Sequence, residues 1–250
     1  MKNKKVPKML FKYKSVNTPN DLIYLLDIID NKRLYMPKYY DFNDPLEGNM
    51  YDFIIDDQLR YAGISIIEAV EKEYNFVDYE KEMVRILSMS DRCDSPLMWA
   101  HYANEHKGVC LCYDYKVFKS KAFKIDYLKD RVVKECNTMD DIDKYAKESL
   151  LYKFYDWSYE REWRVLRDIS NGKDDPYFST KEGLKAVIFG YKMDPIISEF
   201  LSSHLPPKIK KYKTYIATKS NNVKILPFNY ELIHDGSNPP FIEDIVNNYD

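Results

Sequence analysis

From Tyr159 to Arg167 the residues alternate strictly between two kinds of side chain, and a period of two marks a strand whose two faces meet different surroundings. A chain with such a segment must supply a sheet to receive it. On this reading Glu160, Glu162 and Arg164 share one face, and Tyr159, Arg161 and Trp163 the other. Further strands are expected over 10–16, 33–36, 86–90, 108–113, 123–127 and 132–133, then in the apolar run 184–189 and over 212–218 and 223–227. Helical periodicity is expected over 21–30 behind the Asn17-Thr18-Pro19-Asn20 cap, in a short helix over 96–104, over 140–154, and over 195–204 before Pro206-Pro207. An inserted helical region is expected at about 52–85. The mixture predicts an α+β fold.

At 250 residues, 45% of them hydrophobic, the chain has material for one core, so a single domain is expected over 1–235 with a loosely attached tail at 236–250. Seven glycines, and no G-x-G-x-x-G or G-x-x-x-x-G-K-[ST] string, exclude a Rossmann or P-loop nucleotide site. A formal charge of −2 excludes nucleic-acid or membrane binding driven by net charge. The basic opening MKNKKVPK is not followed by an apolar leader core, and no twenty-residue apolar run occurs, so no membrane association and a cytoplasmic location are expected. Cys93, Cys110, Cys112 and Cys136 form no C-x-x-C pair and read as buried free thiols, with no metal site expected.

Chemistry concentrates in four segments. Glu160 and Glu162 on one strand face raise each other's pKa unless a cation lies between them, which suits a general base or a hydroxyl acceptor; the same face with Arg164 equally makes a solvated set of ion pairs. The segment Ser95 to Asn104 places Trp99, His101 and Tyr102 on one short helix, either as a stacking platform with a titrating imidazole or with His101 bonded to a backbone carbonyl. His106 reads as a helix-end cation. Asn43 and Asp44, before Pro45, present an amide and a carboxylate to a ligand or simply form a tight turn; Ser88 and Ser90 end a strand where their hydroxyls face a cleft or cap the next segment.

Together, Leu10-Phe11-Lys12-Tyr13-Lys14-Ser15, Phe42-Asn43-Asp44-Pro45-Leu46-Glu47, Leu97-Met98-Trp99-Ala100-His101-Tyr102-Ala103 with Lys107-Gly108-Val109-Cys110, and Trp157-Ser158-Tyr159-Glu160-Arg161-Glu162-Trp163-Arg164 resemble the bacterial DUF2971 family, whose activity is unassigned. More remotely, a basic-aromatic first strand, a helix, a Ser-x-Ser strand and a late Glu-x-Glu strand, in that order, resemble ADP-ribosyltransferases. That resemblance implies a small, mostly antiparallel split β-sandwich around an NAD cleft. It implies Glu162 holding the ribose 2′-hydroxyl and stabilising an oxocarbenium-like state, and Glu160 activating the acceptor. Lys12 would stand where such enzymes place Arg or His, Ser88 or Ser90 would support the cleft, and Tyr13, Tyr102 or Trp99 would stack on nicotinamide. Lys12 in place of Arg, Asp91 after the second serine and Arg164 beside the glutamates depart from that pattern.

Three functions follow as expectations. The first is an NAD-using transferase or NAD-cleaving enzyme, a toxin or anti-phage effector acting on protein or nucleic acid. The second is a nuclease or phosphoesterase holding magnesium or manganese through Asp44, Glu160, Glu162 and His101. The third is a non-enzymatic module that binds a nucleotide or a partner through the Trp99 helix.

Overall fold

In the computed structural model, which describes residues 6–55, 77–119, 121–216 and 223–228, strand β1 (Met9–Lys14) leads into helix α1 (Pro19–Asp30). Thr18 makes the switch: its hydroxyl accepts from the Asp21 N–H while the Asp21 carboxylate accepts from the Thr18 N–H, and Pro19 suits the first helical turn. The chain continues through β2 (Arg33–Tyr35), β3 (Tyr51–Ile55), β4 (Val84–Ser90), α2 (Pro96–Tyr102), β5 (Val109–Asp114), β6 (Ala122–Lys124), β7 (Asp126–Leu128) and β8 (Val132–Cys136). It ends with α3 (Met139–Ser149), β9 (Tyr152–Phe154), β10 (Glu162–Asp168), β11 (Tyr177–Ser179), β12 (Leu184–Phe189), α4 (Pro195–His204), β13 (Lys210–Tyr215) and β14 (Lys224–Pro227). Helices and a mostly antiparallel sheet make this an α+β fold.

Eight strands form one sheet in the order β14-β13-β12-β5-β1-β4-β10-β6, in which β12 and β13 run parallel and every other pair antiparallel. Leu10, Leu87, Leu111 and Val165 pack on one face against Leu25, Ile28 and Ile29 of α1 and Leu201 of α4. Phe11, Tyr13, Cys110, Cys112 and Ile188 pack on the other against Met98 and Trp99 of α2. Covered on both sides, β5 is buried from Val109 through Tyr113, which is why it reads as an unbroken apolar run. All four cysteines are buried and unpaired with one another.

β1 runs alongside β5 for six register pairs but meets β4 at one, Phe11↔Ser90. Beyond that point the main-chain pairing stops, and the Lys12 ammonium takes the Ser88 carbonyl oxygen at 2.7 Å in place of a backbone donor. The sheet is split there, and the split opens a cavity.

Several expected elements differ. Residues 51–55 are strand, not helix, pairing in parallel with β8, and 84–85 already belong to β4; most of the region between lies outside the described residues, as does the 236–250 tail. The helix expected to reach 154 stops at Ser149, because Tyr152-Lys153-Phe154 pairs with β7. The segment 123–127 divides into β6, paired with β10, and β7, paired with β9. Among the described residues no helix is long and apolar enough to cross a membrane.

Candidate active site

The strict alternation at 159–167 hides a break. Tyr155 to Glu160 forms a 3-10 turn, Arg161 takes the left-handed conformation with φ 47°, and the strand starts at Glu162. Two bonds hold the break: the Ser90 hydroxyl donates to the Glu160 carbonyl oxygen at 2.6 Å, and the Arg161 guanidinium lies 2.5 Å from Asp91. Glu160 therefore reaches the same space as Glu162 from a turn and not from a shared strand face. Trp163, on the opposite side, enters the core as expected.

The cavity, about 370 Å³, has Lys12, Lys153, Glu160 and Glu162 among its lining, with Asn43, His101 and Tyr102 contributed by the 42–48 loop and α2. Its volume lies within the range of small-ligand pockets. Ser95 caps α2 by accepting from the Met98 N–H, and Pro96 starts it, so Met98 and Trp99 turn into the core while His101 and Tyr102 are left toward the cavity. Residues Asn104, Glu105 and His106 then all adopt positive φ, and Gly108 turns back onto β1 where an added Cβ would stand 2.2 Å from the Lys14 carbonyl oxygen.

Below the cavity lies a chain of buried charges. Arg164 is 0% exposed; it binds Glu47 through Nη1 and Nη2 at 2.6 and 2.9 Å, and Glu162 through Nε and Nη2 at 2.7 and 3.1 Å. Lys153 bridges onward, 3.3 Å from Glu162 and 2.7 Å from Glu160, with the Trp157 ring 4.8 Å from its ammonium. The second oxygen of Glu160 accepts from the Tyr102 hydroxyl, which also accepts from the Asn43 amide at 3.2 Å. The Glu162 N–H donates to the Tyr127 hydroxyl at 2.8 Å.

These contacts drive the two glutamates apart. Burial alone raises Glu162, but the charges of Arg164 and Lys153 outweigh it and hold the carboxyl far below the usual carboxylate range. Burial and then the neighbouring Glu162 charge raise Glu160 above its ordinary value, against Lys153 and Tyr102. On the other wall, burial and Lys14 push Lys12 down to about 8.

Of the residues expected at a site, the cavity gathers Lys12, Tyr13, Asn43, Ser88, Ser90, His101, Tyr102, Glu160 and Glu162. Five expected roles are corrected. Trp99 is no stacking platform: it is fully buried, donates to the Cys93 carbonyl oxygen at 2.8 Å and meets Tyr13 edge-on. Tyr13 is itself a core ring, its hydroxyl donating to the Arg92 carbonyl oxygen. Asp44 serves its own turn, accepting from the Leu46 N–H at 2.9 Å, and Arg164 serves the buried ion pairs. His106 is not a helix-end cation, because burial and then Lys192 lower its pKa, and its ring stacks on Trp99 and packs against Tyr191. With Asp44 in its turn and both glutamates bonded to cations, the four residues expected around magnesium or manganese form no shared ligand set.

The sequence by itself does not mark Glu47 or Lys153 as site residues. Glu47 lay inside the Asn43-to-Glu47 turn motif, and Lys153 between Tyr152 and Phe154 in a stretch read as helix. One signal was available for Lys153: a charge between two aromatics at a period of two is the pattern of a strand residue with its own polar environment. No curated protein and no solved structure matches the chain. Residues 98–165, a span that carries most of α2 together with Lys153, Glu160, Glu162 and Arg164, match the sequence model of the DUF2971 family, described as a protein of unknown function, so the resemblance to that family is shown over that segment.

Proposed function

We propose that this cavity is the active site of an NAD-using enzyme that breaks the bond between nicotinamide and ribose and passes the ribosyl group to water or another acceptor. The carrying observation is that two carboxyls in one cavity are shifted in opposite directions by their surroundings, Glu162 down by Arg164 and Lys153, Glu160 up by burial and by Glu162. Pairs of titrating groups separated in this way divide the acid, base and electrostatic roles of a reaction. Glu162 is the fixed negative charge that stabilises the positive ribosyl centre as nicotinamide departs with the bonding pair. Glu160 takes the proton of the attacking acceptor. Tyr102 and Asn43 orient Glu160 at the mouth, and His101, near Tyr159 with ring centroids 6.1 Å apart, supplies part of the aromatic wall. The split between β1 and β4 is in keeping with the remote likeness to ADP-ribosyltransferases.

The test is calorimetric binding of NAD together with chromatographic detection of nicotinamide, on the parent and on folded Glu160→Gln and Glu162→Gln proteins. Release that falls on the order of a hundredfold or more in either variant supports the assignment. Parent-level release by Glu162→Gln, or no binding at millimolar NAD, sinks it.

A further inference from the structure

Lys12 and Lys153 line the same cavity in opposite states of neutralisation. Lys153 is clasped by three carboxylates, at 2.7 Å from Glu160, 3.3 Å from Glu162 and 3.9 Å from Glu47. No carboxylate among the described residues forms an ion pair with Lys12, whose amino group is fixed by the Ser88 carbonyl oxygen at 2.7 Å. That bond spends one of three donors and leaves the nitrogen inside the sheet's split, facing the cavity.

The geometry points to Lys12 as a nucleophilic amine that condenses with the carbonyl carbon of an aldehyde or ketone held in this cavity, with Glu160 moving the protons. The charged groups that face Lys12 are Lys14 from its own strand and Glu160 and Glu162 from across the cavity. Burial, then Lys14, bring its pKa to about 8, whereas the carboxylates around Lys153 outweigh burial and raise that group. One lysine is locked as a cation, and the other is available as a free amine near neutral pH.

The chemistry closes without an external oxidant or reductant. The Glu160 carboxylate takes a proton from the Lys12 ammonium, the freed lone pair forms the N–C bond, the carbonyl π pair moves to oxygen, and Glu160 protonates that oxygen and recovers a proton from nitrogen. Glu160 then protonates the hydroxyl, the C–O bond breaks with loss of water, and the nitrogen lone pair forms the protonated imine opposite a Glu160 carboxylate. A cavity of about 370 Å³ accommodates a sugar-sized carbonyl compound. The step is independent of NAD cleavage.

Glyceraldehyde with cyanoborohydride at pH 7 traps such an imine as a stable secondary amine, which peptide mass mapping locates. A shift from 10.5 to about 8 leaves roughly 300 times more free amine at pH 7, partly offset by the weaker nucleophile, so Lys12 labelling is expected on the order of tenfold above Lys153 and the exposed Lys173. Its pH profile is expected to have a midpoint near 8, and Lys12→Arg, which keeps the cation, to lose the adduct. Labelling of Lys12 no faster than Lys173, or a midpoint above 10, overturns the proposal. If Lys12→Arg does not fold, the parent's own pH profile decides. Because the assay reads no NAD chemistry, its failure and the failure of NAD cleavage are separate results.

Discussion

The Arg164 guanidinium grips the Glu47 carboxylate through two contacts, 2.6 and 2.9 Å long, between residues 117 positions apart. Both side chains are buried, and the same guanidinium holds Glu162. Fork-to-fork geometry gives such a pair its direction, but its desolvation cost makes each partner depend on the other. Arg164→Met and Glu47→Gln are each expected to lower unfolding free energy by about 3–5 kcal/mol, measured by urea denaturation. The double variant should lose less than the two single losses combined, because each single change strands a buried charge that the other removes. Simple additivity would mean that the pair is not a coupled unit.

How much of this was legible in the sequence depends on how local its cause is. β12 and α4 were read to their observed ends, because the apolar run over 184–189 and the proline pair at 206–207 bound them from within. The Thr18 cap was equally local. The Glu160 to Glu162 segment misled because alternation continues through the left-handed Arg161, and a pattern of side-chain types carries no trace of one backbone torsion. Trp99 misled for a different reason: an amphipathic residue on a short helix suits a surface and a core alike, and its burial is decided by Tyr13 and Cys93 on other elements. Glu47 and Lys153 acquire their meaning from partners on distant strands, which only the assembled sheet brings together.

The two cavity walls respond to pH with opposite signs of charge. Lys12 falls to about 8 in the folded chain from an ordinary 10.5, so the unfolded chain binds more protons across that window and this group's penalty is relieved as pH rises through it. This group alone should therefore contribute a gain of about 1–2 kcal/mol between pH 8 and 9.5, opposed by the Cys93, Cys110 and Cys136 thiols that burial pushes up, so the gain is read as the difference between the parent and Lys12→Met. The window ends before the tyrosines matter, since burial raises Tyr102 in the folded chain and stability is lost as pH climbs past the ordinary tyrosine range. Glu162 is depressed from its ordinary 4.5, so its contribution is present above that value and lost as pH falls below it. Glu162→Gln should flatten the acid limb; denaturant midpoints across pH check both limbs. A Lys12→Met protein whose stability changes between pH 8 and 9.5 just as the parent's does contradicts the Lys12 assignment.

Glu105 is exposed, makes a 3.7 Å contact with Lys107, and has φ 52°. The left-handed conformation costs a residue with a Cβ about 1–2 kcal/mol, and glycine offsets part of that by its own entropy loss. Glu105→Gly is thus expected to raise thermal stability slightly, by about 0.5 kcal/mol. Gly190→Ala should do the reverse, because its Cβ would stand 2.0 Å from the His106 carbonyl oxygen, which already accepts from the Lys192 N–H at 3.1 Å. A loss of about 3 kcal/mol or more is expected there, since rigid backbone must yield. Thermal denaturation of the two variants gives both signs in one experiment.

The Tyr102 hydroxyl donates to Glu160, and this bond works against burial and the Glu162 charge, which together raise the carboxyl. Removing the hydroxyl leaves Lys153 as the remaining donor to that carboxylate among these partners. In Tyr102→Phe the pKa of Glu160 should therefore rise further, and a rate that needs Glu160 as a base should have its acid limb displaced toward higher pH, by up to about one unit. Nicotinamide release across pH measures that displacement, and carbon NMR of labelled glutamate measures the same titration without any turnover. Because the Arg164 contacts to Glu47 and Glu162 are untouched, denaturation should change by only about 1 kcal/mol, the worth of one hydrogen bond. A limb displaced toward lower pH would show that Tyr102 acts on the cavity other than through Glu160, and would remove the hydroxyl from the positioning role assigned to it.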